Sequence, residues 1–227
     1  MSSVRTRPLD LPLEEGDCVL WPEFERRAAL TSERKLELID GVVYVGPPVS
    51  FDHGAPHSLL NMWLGVYSAG TRGTAVASDT TLRLDMKNAP QPDVGMGIRR
   101  EAGGRLRLDE KGYIVGGIEL IAEVAKSTSS KDLHKKKEAY ETHGCLEYVV
   151  YVVHTRSVVW FVQEESGYVP LEPDERGILR SRVFPGLWLD ARGLTELDGA
   201  KILETLREGL ATKEHVAFAG DLAQRLG

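Results

Sequence analysis

The sequence predicts a mixed α/β fold, in which a central β-sheet carries helices on its faces. Two apolar runs flank Asp40-Gly41, and such a pair is a strong hairpin signal because Gly tolerates positive φ. Two further apolar runs of strand length lie at 118–125 and 147–153, with a helix-start pattern between them. The elements follow the order hairpin, helix, strands, helix, strands, helices, which is typical of a mixed sheet with flanking helices.

The N-terminal half supplies an arm, the first long helix and short strands. Residues 1–22 are rich in Pro and charged residues and are expected to form a loose N-terminal arm. Apolar residues recur at helical spacing over 56–69, and Pro56 suits the first turn of that helix. Residues 80–85 alternate as a half-buried strand, and 91–96 are expected to form another short strand.

Patterns of the same kind predict the C-terminal half. Ser129-Ser130-Lys131-Asp132 resembles a capping box, so a helix is expected from Ser129 to about His143, with Gly144 just past its end. The other expected elements are strands over 147–153 and 158–163, short strands and loops over 168–190, and helical segments over 197–226.

Composition is that of an ordinary globular chain. The 227 residues are 42% hydrophobic and 27% charged, enough for one large domain with appendages. No apolar run is long enough for a signal peptide or a membrane span, so a cytoplasmic protein is expected. A net charge of −6 disfavours a protein that coats nucleic acid, although an enzyme with a local basic rim stays open. Cys18 and Cys145 show no CxxC spacing and are expected to be free thiols.

The first candidate site residues are two carboxylates on short apolar strands. Glu123 interrupts the apolar run 118–125, and Asp93 follows Pro92. Burying an unpaired carboxylate costs several kcal/mol, so Glu123 is either paired or placed at a cleft. Two carboxylates at neighbouring strand ends suit a hard cation such as Mg²⁺, or an acid and base pair. The alternative, that each caps a turn or pairs with an arginine, stays open.

Lysines supply the second set of candidates. Lys126 follows the strand directly, and Lys136 shares a helix face with Leu133 and Tyr140, which favour the core. An ammonium beside such an apolar stripe could face a phosphate or an attacking water. It could equally extend to the surface and remain solvated.

Three further polar residues remain as weaker candidates. His53 and His57 are four residues apart, which suits zinc only if a third ligand is nearby, and Pro56 argues that His53 lies in a loop before the helix. Glu37 points away from its leucine neighbours, as an edge-strand glutamate would. The chain has no GxSxG, Walker A, GxGxxG or HExxH motif, which removes support for serine hydrolase and nucleotide-binding functions.

Together these residues form a pattern that resembles the Uma2 family of restriction-endonuclease-like proteins in the PD-(D/E)xK nuclease superfamily. The matching pieces are individually weak, but they occur in the family's order from about residue 23 to 195. They are Leu36 to Gly41, Pro47-Pro48 leading to His53, Gln91-Pro92-Asp93, Glu123-Val124, Asp132…Lys136…Tyr140…Gly144…Glu147-Tyr148, and Val183 to Leu187.

The resemblance implies a restriction-endonuclease-like core over 23–195, between an arm (1–22) and a C-terminal helical tail (196–227). It implies a metal-dependent endonuclease that cuts DNA with Mg²⁺ or Mn²⁺. Asp93, Glu123 and the backbone carbonyl of Val124 would hold the ion. A lysine would assist the attacking water, and Glu37 would be a further acidic member.

The lysine is where the sequence departs from the superfamily pattern. Ala125 stands at the position of the ExK lysine, and Lys126 comes one residue late, which turns its side chain to the opposite face if the strand continues. Lys136 matches a lysine that the Uma2 pattern carries in the following helix, and it is therefore preferred over Lys126.

Two other functional classes remain. A nuclease-like fold without catalysis, working as a nucleic-acid or protein binding module, agrees with the net charge and the missing ExK lysine. A two-carboxylate glycosidase ranks last, because no cluster of sugar-stacking aromatic residues stands out. A homodimer is a further expectation, since enzymes that cut both strands often pair two sites by symmetry.

Overall fold

The computed structural model describes residues 11–31, 35–126 and 131–227, without the side chains of residues 131–133. Its helices are α1 (Trp21–Ala28), α2 (Phe51–Gly70), α3 (Lys131–Thr142), α4 (Ala191–Thr195), α5 (Gly199–Leu210) and α6 (Lys213–Arg225). Its strands are β1 (Leu36–Ile39), β2 (Val42–Val45), β3 (Thr74–Ser78), β4 (Leu82–Arg83), β5 (Val94–Ile98), β6 (Ile114–Val115), β7 (Leu120–Ala125), β8 (Glu147–Val152), β9 (Ser157–Glu164), β10 (Gly167–Pro170), β11 (Ile178–Arg180) and β12 (Trp188–Asp190).

A mixed sheet lies at the centre of the fold. Its described strands follow the order β10-β9-β8-β7-β5-β3. Strands β7 and β8 are parallel, and α3 provides the crossover between them, while the other neighbouring pairs are antiparallel. The predicted fold class, a mixed α/β sheet with flanking helices, is confirmed.

The two faces of β7 pack into different hydrophobic cores. Leu120, Ala122 and Val124 join a core with α2 and α5. Ile121 points the other way, into a core that contains Tyr140 of α3. Because strand side chains alternate, Glu123 lies on the α3 side of the sheet. This alternation decides which helix supplies its partners.

The hairpin β1–β2 and the segment before α1 form a third, smaller core. Leu13, Trp21 and Leu38 are among its buried residues. Arg27 of α1 is almost fully buried, and its guanidinium donates to the carbonyl oxygens of residues 11 and 12 and to Asp17. Residues 11–22, part of the expected loose arm, therefore pack against the domain.

Helix α2 differs from the sequence prediction. It begins at Phe51, five residues before Pro56, so the expectation that His53 precedes the helix is wrong. The backbone N–H groups of His53 and Gly54 both donate to the carbonyl of Ser50, which closes the first turn. Pro56 therefore lies inside the helix, in its second turn, where it lacks the N–H that would donate to the carbonyl of Asp52.

The remaining predicted elements have mixed outcomes. Strand β3 was not expected, and the strand predicted over 80–85 shortens to β4. The Ser129 capping box lies outside the described residues. The expected helical segments over 197–226 are present as α5 and α6, begun by the side chains of Asp198 and Thr212. Among the described helices, none is both long and apolar enough to cross a membrane.

Candidate active site

A cleft of about 410 Å³ opens where β7 ends, and most of the candidate residues line it. One wall is the segment Gly46–Ser50 between β2 and α2, and the others come from β1, the start of α2, and α3. The polar side chains that line the cleft are those of Lys35, Glu37, Ser50, His53, His57, Asp79, Asp93, Glu123, Lys126 and Lys136.

Asp93 immediately precedes β5 and is 2% exposed. Val94 pairs with Ala122, so extending this antiparallel register by one residue sets Asp93 opposite Glu123. The backbone N–H of Val124 donates to Asp93 Oδ2 over 2.8 Å, which fixes the carboxylate against β7. The structure thus brings the two predicted carboxylates together across neighbouring strands.

Lys35, directly before β1, is the ionic partner of Asp93. Its Nζ lies 2.9 Å from Asp93 Oδ1 and 3.2 Å from Asp79 Oδ1. Burial alone would raise the pKa of Asp93, but the nearby His53 imidazole, the Lys35 ammonium and the Val124 N–H together hold that pKa well below its usual value. Asp93 is therefore an anion throughout the physiological pH range.

Glu123 lies at the centre of a second, almost fully buried network. Lys136 Nζ of α3 lies 2.8 Å from Glu123 Oε2 and 2.8 Å from Glu37 Oε1. The Tyr140 hydroxyl donates to Glu123 Oε1 over 2.7 Å. Glu37 Oε1 also accepts from the backbone N–H of Gln91. The i, i+4 spacing of Lys136 and Tyr140 sets both on the helix face that meets Glu123.

The charges of this network shift its pKa values in identifiable ways. Burial raises the pKa of Glu123, and the nearby carboxylates of Asp93 and Glu37 add to that rise, against the opposing effect of Lys136. Burial would lower the pKa of Lys136, but the two carboxylates outweigh it and hold that pKa well above its usual value. Lys136 is therefore a permanently protonated hydrogen-bond donor at neutral pH.

The two histidines of α2 approach Asp93 from the other side. His53 Nε2 lies 3.5 Å from Asp93 Oδ2, and His57 Nε2 lies 2.9 Å from the Asp93 carbonyl oxygen. One ligand atom from each of His53, His57 and Asp93 can be chosen so that all three lie within 4.8 Å of one another. Asp93 therefore lies where the third ligand of a histidine metal site would have to be.

The lysine that follows β7 is placed differently from Lys136. β7 ends at Ala125, so the side-chain alternation of the strand does not extend to Lys126. Lys126 is exposed and lines the cleft. Its backbone carbonyl accepts from the N–H of His154, and its side chain reaches solvent, whereas that of Lys136 is buried.

Sequence reasoning missed Lys35 and Asp79. Lys35 and Glu37 are two residues apart at the start of a strand, so their side chains share a face, and this parity signal was available. Asp79 lies in the turn after β3, where its φ of 49° is in the left-handed region. Because β3 itself was not predicted, nothing in the sequence placed Asp79 near Asp93.

A mixed sheet with a central parallel pair, and with acidic residues on β7 and directly before β5, is the arrangement of a restriction-endonuclease-like α/β protein. The chain belongs to the Uma2 family, described as "Putative restriction endonuclease", which matches residues 21–192. The predicted family is thereby confirmed.

Comparison with solved structures supports the same fold. The chain is similar to a protein from Anabaena variabilis described as a "putative nuclease belonging to DUF820", with a TM-score of 0.56 and 17% identity. The similarity covers 71% of this chain and 90% of that one. No curated protein matches the chain.

Proposed function

We propose that the protein is a metal-dependent endonuclease that hydrolyses phosphodiester bonds of DNA. The observation that carries this proposal is the pairing of Asp93 and Glu123 across adjacent strands in one cleft, with the Lys136 ammonium 2.8 Å from Glu123. Membership of a nuclease family supports it.

The donor chemistry of the cleft fits a hard divalent cation. Asp93, Glu123 and the carbonyl of Val124 offer oxygen ligands, which Mg²⁺ and Mn²⁺ accept. The strongly lowered pKa of Asp93 favours this, since a ligand carboxylate must be ionised. When bound, such an ion offsets the charge of the scissile phosphate and lowers the pKa of a water molecule.

The protein's own side chains then have distinct roles. Lys136 is protonated, so it acts as a donor that orients the water or offsets charge on the phosphorane, and not as a proton acceptor. Glu37 and Glu123 hold its ammonium in place. Lys126, at the mouth of the cleft, is suited to a phosphate beyond the reacting one.

The decisive experiment is a cleavage assay on supercoiled and linear DNA with Mg²⁺ or Mn²⁺. Asp93→Asn, Glu123→Gln and Lys136→Met should each lower the rate by at least about a hundredfold, as loss of a principal electrostatic contact does. The exposed Glu110→Gln is the matched control and should cut like the wild type. Cutting that survives both carboxylate changes would show that the nuclease activity lies elsewhere.

Two observations favour a second candidate, a DNA-binding or assembly module without catalysis. The Lys136 ammonium is already shared by two carboxylates, and Ala125 stands where the superfamily motif has lysine. Under this alternative, purified wild type binds DNA in an anisotropy assay but cuts nothing with either ion. Sedimentation in the same buffer tests the proposed homodimer, which double-strand cutting favours.

A further inference from the structure

We propose that Asp93, His53 and His57 form a binding site for a transition-metal ion, which the protein takes in preference to Mg²⁺. The inference deepens the proposed function: it keeps Asp93 as a ligand of the ion and names His53 and His57, instead of Glu123 and Val124, as the other protein ligands. It rests on the proposed function only for the ion's role in catalysis. Ion binding itself is a separate property and is measured without DNA.

The spacing between His53 and Asp93 is that of two ligands on one ion. Their atoms Nε2 and Oδ2 are 3.5 Å apart, beyond the usual length of a hydrogen bond between such groups. Two ligand atoms, each about 2.1 Å from a common ion, are about 3.0 Å apart at a right angle and about 3.4 Å apart at a tetrahedral angle. A small rotation of His53 therefore suffices to coordinate an ion together with Oδ2.

A backbone contact holds His57 beside Asp93 and leaves Nδ1 as the ring nitrogen open to an ion. Its Nε2 lies 2.9 Å from the carbonyl oxygen of Asp93, and a carbonyl only accepts, so Nε2 carries the hydrogen. In the neutral ring the lone pair is then on Nδ1. A histidine ligand that donates its other N–H to a backbone carbonyl is the usual second-shell arrangement of protein metal sites.

Helix geometry brings the two rings to one place. His53 and His57 are one helical turn apart in α2, and their ring centroids are 6.1 Å apart. Both are half-buried and line the cleft, so an ion can reach them from solvent. The start of α2 at Phe51 is essential here, because only a helical His53 shares a face with His57.

The hydrogen bonds that Glu123 and Asp93 already make favour an ion on the histidine side of the cleft. Both oxygens of Glu123 already accept strong hydrogen bonds, from Lys136 and Tyr140. Lys35 occupies Oδ1 of Asp93, while Oδ2 accepts one hydrogen bond, from the Val124 N–H, and its other side faces His53. An ion on Oδ2 therefore leaves the Lys136 network intact, whereas an ion on Glu123 would compete with Lys136 or Tyr140 for a carboxylate oxygen.

The ligand types decide the class of ion. Imidazole nitrogen suits Co²⁺, Ni²⁺ and Zn²⁺, and affinity for such a site rises from Mn²⁺ through Co²⁺ to Ni²⁺, whereas Mg²⁺ prefers oxygen ligands and retains its water. Two nitrogens and one carboxylate are therefore expected to discriminate against Mg²⁺. Mn²⁺ is the probe of choice, because it also serves hard oxygen sites and is visible by electron paramagnetic resonance.

Calorimetry on the purified full chain tests the proposal. We expect Mn²⁺ and Ni²⁺ to bind at least about tenfold more tightly than Mg²⁺, and pulsed resonance of the Mn²⁺ complex to show coupling to imidazole nitrogen. His53→Ala and His57→Ala should each weaken Mn²⁺ binding by about tenfold or more and reduce the nitrogen signal. His134→Ala, an exposed histidine on α3, should leave both unchanged.

Further variants keep the test decisive if a substitution disturbs the fold. His57→Gln retains an N–H donor for the Asp93 carbonyl but removes the ring nitrogen, so it should fold and still bind Mn²⁺ weakly. Equal affinity for Mg²⁺ and Mn²⁺, or wild-type Mn²⁺ binding by both histidine variants, would overturn the inference. Tight ion binding without DNA cleavage would count against the proposed nuclease function alone.

Discussion

Replacing Lys136 with Met removes the ammonium that lies 2.8 Å from both Glu123 and Glu37. Methionine preserves the length and the apolar stem of the side chain, so the change acts mainly on charge. Breaking a buried ion pair by removing one partner costs about 3–5 kcal/mol, because the remaining charge is left without compensation. Lys136 is 7% exposed and Glu123 is 6% exposed, so solvent offers little relief.

Protonation of Glu123 sets the scale of the loss. With an ordinary pKa of 4.5, neutralising a glutamate at pH 7 costs about 3.4 kcal/mol, at about 1.4 kcal/mol per pH unit. The variant can therefore escape the full burial cost by taking up one proton. Its folded state then binds more protons than its unfolded state, so its stability rises as pH falls towards 4.5.

Urea unfolding at several pH values measures this effect. We expect Lys136→Met to lose about 3 kcal/mol at pH 7 and about 2 kcal/mol less than that at pH 5.5, relative to the wild type. In the Glu123→Gln background the same change should cost at least about 1.5 kcal/mol less at pH 7, because the carboxylate is gone. Lys137→Met on the same helix, whose ammonium lies over the Phe161 ring, should cost no more than about 1 kcal/mol.

Either of two results would refute the reasoning. The first is a loss at pH 7 no larger than that of the Lys137 control. The second is a loss that stays constant between pH 7 and pH 5.5, which would show that no buried carboxylate takes up a proton.

Three further predictions concern other contacts. The pKa of Asp93 lies below its ordinary value of 3.8, so its charged form stabilises the fold above that pH, and this contribution is lost as pH falls through the lower folded pKa. Asp93→Asn should therefore flatten the decline in the free energy of unfolding that urea titration measures below about pH 5. Lys35→Met should tighten Mn²⁺ binding in calorimetry about tenfold, because it removes a cation 2.9 Å from Asp93; weaker binding would mean that Lys35 organises the site. Gly186→Ala should cost more than about 2 kcal/mol in urea unfolding, because φ is 81° and the added Cβ would lie 2.6 Å from the Gly209 carbonyl oxygen.

Strong local signals account for the parts of the fold that the sequence predicted. The Asp40-Gly41 turn appears with positive φ at both residues, as a two-residue hairpin requires. The apolar run around Glu123 appears as β7, and its alternation correctly set Glu123 on the opposite face from Leu120 and Val124. These features depend on residues near in sequence, so periodicity suffices to find them.

Contacts between distant residues account for what the sequence could not supply. The Lys35–Asp93 pair joins residues 58 apart, across a hairpin, a helix and the unpredicted strand β3. Helix α2 extends before Pro56 because a backbone turn at Ser50 begins it, where the usual proline rule placed the start later. Neither the partner of Asp93 nor the histidine pair beside it can be read from local propensity.

The position of Lys136 has a consequence for how the site assembles. A lysine two residues after Glu123 would reach the cleft as soon as β7 formed. Lys136 instead reaches Glu123 only when α3 packs on the sheet, and it reaches Glu37 only when the hairpin β1–β2 is also in place. Lys135 reinforces this closure, because its ammonium donates to the Tyr44 hydroxyl of β2. The buried charges are therefore balanced only in the complete fold. The network thus favours the native packing of α3 against the hairpin over other arrangements, which would leave a buried charge unpaired.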